Sequence, residues 1–160
     1  MAGAARIIAI DVVPTRLQLA CELGATETID ASAADPVAAL MELSSGRGVE
    51  YSIEASGTVA VLAQAMRVLA PRGTCAILGT YGPGVTVPLQ ADYMLDGRRV
   101  IGVSEGGSDP ATFIPALVRL HQLGKLPLEK LIRHYPFGQI EQAAADARAG
   151  KTIKPVLLYD

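Results

Sequence analysis

The 160-residue chain has no tryptophan, only two phenylalanines and five tyrosines, so it lacks the aromatic stacking surface expected of a single-strand nucleic-acid binder. Charge of one sign is missing too. Fourteen Lys and Arg against sixteen Asp and Glu leave a formal net charge of −2, too little for the large electropositive field that tracks phosphates. The two cysteines, Cys21 and Cys75, lie far apart with no Cys or close-spaced His beside them. Neither a zinc knuckle nor a disulfide framework follows, and a cytoplasmic location is the default expectation. No apolar stretch approaches the roughly 18 residues of a membrane span. The residues after Met1 show no basic n-region, long h-region or cleavage-like site, so a soluble protein without an export signal is expected. Sixteen glycines and ten prolines stay well under the roughly 25–30% that marks disordered sequence. Half the residues are hydrophobic, enough for a sizeable core in one domain.

The patterning alternates strands and helices. Arg6 to Asp11 is a short apolar run ending on a carboxylate, the mark of a strand buried on both faces. Pro14 then suits a first helical turn, Leu17, Leu19, Ala20 and Leu23 supply an apolar face, and Gly24 stops the helix. The grammar repeats: a strand over Glu27 to Asp30, a helix from Asp35-Pro36 to about Leu43, and a turn over Ser44 to Gly48. A strand over Val49 to Glu54, a helix over Val59 to Leu69, a turn at Pro71 to Gly73 and a strand over Thr74 to Leu78 follow. Such alternation predicts an α/β fold with a parallel sheet covered on both faces. Arg98 to Ser104 reads as a further, outer strand. Beyond it, helices from Asp109-Pro110 to about Leu123 and from Gln139 to about Arg148, and a strand over Ile153 to Leu158, break the simple alternation and form a separate layer.

Parallel α/β sheets bind ligands outside the carboxyl ends of their strands. Asp11 ends the first strand, and two readings of it stand. In dinucleotide-binding folds an acidic residue at such a strand end accepts hydrogen bonds from both ribose hydroxyls, and its charge repels a 2′-phosphate; alternatively it caps the helix that begins near Pro14. The Gly-rich fingerprint that should precede such a residue by about 20 positions is absent, and Gly46-Arg-Gly48 and Gly82-Pro-Gly84 read as turns. Glu54 ends its strand like a catalytic acid, but at that depth it is expected to bond backbone N–H groups or an Arg. His134 reads as structural, and Glu105 as a weak candidate for orienting a substrate.

Five ordered segments carry a resemblance: IIAIDVVPTRLQLACELGAT, GVEYSIEASG, APRGTCAILGTYG, GRRVIGVSEGG and GKTIKPVLLYD. They follow, in order and spacing, the later part of the zinc-dependent medium-chain alcohol dehydrogenases. The stretch EGGSDPATFIPALVRLHQLGKLPLEKLIRHYPF is most similar to the aryl-alcohol branch. The resemblance implies a partial Rossmann domain over 1–107, a doubly wound parallel sheet without its first strand and Gly-rich turn. It also implies a C-terminal helix-and-strand tail over 108–160 that in the family packs on a zinc-bearing catalytic domain, which the resemblance does not cover.

The roles so implied are specific. Asp11 matches the acidic residue that binds the adenosine ribose of NAD, and Arg16 a basic residue beside it. Ser56 and Gly57 match the adenine side; Leu78, Gly79 and Thr80 match the strand end that approaches the nicotinamide, and Val103 a second backbone contact to its carboxamide. Lys154 stands where many relatives place a pyrophosphate-binding Arg; Lys keeps the charge without the bidentate fork. No residue matches a catalytic or metal-binding role, since two isolated Cys and two isolated His offer no zinc ligand set. The implied function is the NAD-binding portion of an enzyme that oxidises a primary, aromatic alcohol, with this chain alone inactive and its NAD binding weak or absent. A homodimer through the Arg98 to Ser104 edge strand is expected as well, with no nucleic acid or membrane partner. Two other readings remain: a non-catalytic oligomerising or weakly nucleotide-binding module, and an S-adenosylmethionine methyltransferase fragment.

Overall fold

The computed structural model describes residues 3–159, which form two compact units that divide between Gly107 and Ser108. The first holds strands β1 (Ile8–Asp11), β2 (Glu27–Asp30), β3 (Val49–Glu54), β4 (Leu69–Ile77) and β5 (Arg99–Gly102). Its helices are α1 (Pro14–Glu22), α2 (Pro36–Leu43), α3 (Val59–Arg67) and α4 (Ala91–Leu95). The second holds helices α5 (Pro110–Gln122) and α6 (Ile140–Arg148) with strands β6 (Ile132–Pro136) and β7 (Lys154–Leu158).

Every strand pair is parallel; the α/β class read from the alternation, and the Rossmann-like form of it that the resemblance implied, are what the structure has. The single sheet expected of that alternation is not formed. Among the described residues β1 pairs with β2, and β3, β4 and β5 pair in that order, with no ladder joining β1 to β3. Tyr51 and Ile53, which share one face of β3, are 79% and 70% exposed, although strands of this composition are built to be covered on both faces.

Local chemistry sets the element limits. Pro14 and Pro36 open α1 and α2 in the first turn, where a missing N–H costs nothing. The Asp35 carboxylate accepts from the Val37 amide at 2.9 Å, capping α2. Leu62 and Met66 of α3 pack with Leu69 and Cys75 of β4, and Ile29, Leu40 and Val68 form a second cluster against Ile8 and Val49. Each such side chain contributes about 1.5–3 kcal/mol by leaving water. This packing also explains a difference from the sequence pattern. The strand expected to start at Thr74 starts at Leu69, which is 3% exposed and pairs with Val49 before the register slips to Tyr51 and Thr74. Pro71 to Gly73 is therefore a bulge within β4, with Arg72 at φ 64, rather than a turn before it.

In the second unit β6 and β7 pair from Ile132 with Lys154 to Pro136 with Leu158. The buried Asp146 of α6 accepts from Tyr135 at 3.0 Å and from Gln142 at 2.9 Å, with Arg133 and Lys151 each 3.8 Å away. These bonds tie α6 to β6. No described helix is long and apolar enough to cross a membrane.

Candidate nucleotide site at the strand ends

Residues singled out in the sequence gather where the strands of the first unit stop. Asp11 is the last residue of β1, Ser56 and Gly57 follow β3, Leu78 to Thr80 follow β4, and Val103 follows β5. A strand's carboxyl end is where a parallel α/β sheet leaves backbone and side chains free to meet a ligand.

At β1, one carboxylate oxygen of Asp11 accepts from the amides of Val12 and Val13 at 2.8 and 2.9 Å. The other lies 3.8 Å from the Arg16 guanidinium, and the side chain keeps 31% of its exposure. The cap of α1 is Val13, with no side-chain cap bond. Asp11 thus steadies the turn into the helix with one oxygen and presents the other to solvent beside a cation.

At β3 and β4 the two strand ends are bound together through Glu54, which is 1% exposed. Its Oε1 accepts from the Ser56 amide at 2.6 Å, the Ser56 hydroxyl at 2.5 Å and the Gly57 amide at 3.0 Å. Its Oε2 accepts from the Tyr81 hydroxyl at 2.6 Å. The Glu54 carbonyl receives the Leu78 and Gly79 amides at 2.7 and 3.0 Å. Burial works to raise the carboxyl pKa, but donation from Ser56, Tyr81 and the Gly57 amide outweighs it and holds the group below its ordinary value. Burial, followed by the bond to this anion, pushes the Tyr81 phenol up to about 12.

The glycines are there because nothing larger fits. A Cβ on Gly79 would fall on the Gly57 amide nitrogen and on Glu54 Oε2, and a Cβ on Gly57, at φ 69, would stand 2.6 Å from the Thr80 carbonyl oxygen. Two backbones thus touch side by side, a floor on which a flat or extended ligand can lie close to main chain. Leu78 beside it is 48% exposed. Val103 donates its amide to Ile77 at 2.9 Å, so it extends the β4–β5 ladder by one bond and leaves its carbonyl oxygen as the backbone group that could accept from a carboxamide.

Other residues fall outside this set. Lys154 opens β7 in the second unit, exposed, with its amide donating to Leu131 at 3.0 Å. His134 pairs through the β6 backbone with Val156. Glu105 sits in an exposed turn at φ 50. Among the described residues no three His, Cys, Asp or Glu are placed to hold a metal ion. Cys75 is wholly buried, and desolvation pushes its thiol pKa up. A zinc ion therefore finds no fitting donor set here, and no chemical step through zinc is assigned to this chain. Tyr81 was not singled out from the sequence. The available signal was Glu-x-Ser-Gly at one strand end with a hydroxyl two residues past the glycine of the next.

A family model described as "Zinc-binding dehydrogenase" matches residues 1–122. A geraniol dehydrogenase from Castellaniella defragrans is 33% identical over 158 residues, 98% of this chain and 42% of the relative. The crystal structure of benzyl alcohol dehydrogenase from Acinetobacter calcoaceticus superposes with a TM-score of 0.95 at 41% identity, over 99% of this chain and 44% of that one. A zinc-binding-domain alcohol dehydrogenase from Burkholderia ambifaria does so with a TM-score of 0.94 at 45% identity, over 98% and 42%. The chain spans less than half the length of these relatives.

Proposed function

The chain belongs to the zinc-binding dehydrogenase family, and on that premise we propose that it carries the NAD-binding portion of an alcohol-oxidising enzyme. One observation supports this most: the expected cofactor residues of the first unit, Arg16 apart, stand at or just past the carboxyl ends of four parallel strands. Asp11 would take the adenosine ribose hydroxyls, with Arg16 beside it. Ser56 and Gly57 would line the adenine side, and Leu78 to Thr80 would approach the nicotinamide over the Gly57–Gly79 floor. The bound nicotinamide supplies hydride acceptance; the chain's residues bind and orient it. The aryl-alcohol character of the 105–137 stretch and the benzyl alcohol dehydrogenase relative favour a primary aromatic alcohol as the substrate of the whole enzyme.

Calorimetry with NAD and NADP tests the reading. NAD is expected to bind weakly, since among the described residues no Gly-rich turn opens a helix to hold the pyrophosphate, and NADP more weakly still, because Asp11 would meet its 2′-phosphate with like charge. Preference for NADP, or for S-adenosylmethionine over both, contradicts it. The 160-residue chain alone is expected not to oxidise benzyl alcohol. We propose further that two copies join through β5, the outer strand of its sheet, where Ile101 is 47% exposed; an unpaired strand edge with apolar side chains favours such pairing.

A further inference from the structure

We propose that Glu54 is a positioning residue, whose buried carboxylate sets the spacing between the Ser56–Gly57 turn and the Leu78–Thr80 segment and thereby the width of the cofactor floor. The inference rests on the NAD-binding reading for what lies on that floor, but not for the clamp itself.

Six donor groups from five residues converge on this one residue. Ser56, Gly57 and Tyr81 reach its carboxylate, while Leu78 and Gly79 reach its carbonyl. They come from both strand ends, so a displacement of Glu54 moves both walls at once. The donors to the carboxylate are neutral: two amides and two hydroxyls. Only an acceptor with lone pairs on both atoms satisfies this arrangement. A glutamine could keep the Ser56–Gly57 amides on its oxygen only by turning its NH2 group to the Tyr81 hydroxyl, which would then accept instead of donate, and it would replace the charge-assisted bonds to both walls with weaker neutral ones.

Asp146 gives the contrast. It too is a buried carboxylate taking a tyrosine hydroxyl, yet Arg133 and Lys151 flank it and its bonds join β6 to α6 within the second unit. Glu54 instead sits where two glycine backbones already touch, with no room for one methyl group. There a shift of a few tenths of an ångström changes the floor directly.

The test compares the wild-type chain with Glu54→Gln, Tyr81→Phe and, as control, Asp146→Asn. Site-resolved amide exchange and NADH affinity are measured on each. Glu54→Gln is expected to speed exchange at Ser56, Gly57 and Gly79 by about tenfold and to weaken NADH by a similar factor, leaving exchange around Met66 and Cys75 unaltered. Tyr81→Phe gives a smaller change in the same direction. Asp146→Asn lowers stability without moving NADH affinity. Unchanged local exchange, or equal NADH affinity, in folded Glu54→Gln overturns the proposal. If Glu54→Gln does not fold, Tyr81→Phe decides: wild-type affinity and wild-type Gly57 protection overturn it. Absence of NADH binding to the wild type, with Glu54-dependent protection intact, sinks the cofactor reading and leaves the clamp standing.

Discussion

The residues of the candidate site differ in how plainly the sequence announces them. Asp11 is legible because a carboxylate ending an apolar run has few structural uses; it is not the cap of α1, which is Val13, but one of its oxygens holds the turn into that helix and the other lies 3.8 Å from Arg16. Replacing it with asparagine keeps the turn and removes the charge. Asp11→Asn is therefore expected to narrow the preference for NAD over NADP by about tenfold, read by calorimetry, with little change in stability. Gly79 is legible only through resemblance, since its necessity arises from Gly57, 22 positions earlier in the chain, and sequence spacing does not reveal which loops touch. Gly79→Ala forces a methyl group onto backbone that lies under a strand end and is expected to cost about 1–3 kcal/mol in urea unfolding. Wild-type stability in that variant would contradict the close approach. Val103 was expected to make a backbone contact to the cofactor; its amide is spent on Ile77, so such a contact would fall to its carbonyl oxygen, and a ladder that runs one bond past the apolar stretch leaves no mark in the residue types.

Elements were legible where period and caps agree. Asp35-Pro36 and Asp109-Pro110 each place a capping carboxylate before a proline in the first turn, and α2 and α5 begin there. β6 was not anticipated, because Arg133, His134 and Pro136 interrupt its apolar pattern; only Ile132 and the buried Tyr135 betray it. α4 was missed as well, being five residues long, too short for a period to show. The link between β6 and α6 is electrostatic and so depends on pH. Tyr135 and Gln142 hold the Asp146 carboxyl below its ordinary 3.8, with Lys151 and Arg133 adding to the effect. A lowered folded-state pKa means that the contribution is complete above the unfolded value and drains away as pH falls through the folded one. The second unit is expected to lose helical signal on acidification below about pH 4, and Asp146→Asn to flatten that loss. A pH profile identical in variant and wild type would show that the bonds contribute nothing.

For the whole molecule, alternation of strand and helix foretold parallel pairing, and the resemblance, by leaving out the first strand of the fold, implied a gap between the strand ending at Asp11 and the one ending at Glu54; the first unit holds two sheets with β1 and β3 unjoined. Periodicity states which residues are buried on a strand and is silent about which strands lie side by side. With β5 as an outer strand carrying exposed Ile101, light scattering at micromolar concentration is expected to give a homodimer or larger assembly, and Ile101→Lys to shift it toward monomer. A wild-type monomer would contradict the proposed pairing. The most direct measurement of the central claim is a heteronuclear NMR titration of the chain with NAD and, separately, NADP. Shifts confined to the amides of Val12, Ser56, Gly57 and Leu78 to Thr80, larger with NAD than with NADP, are the predicted result; no shift at these positions, or a larger response to NADP, would contradict it.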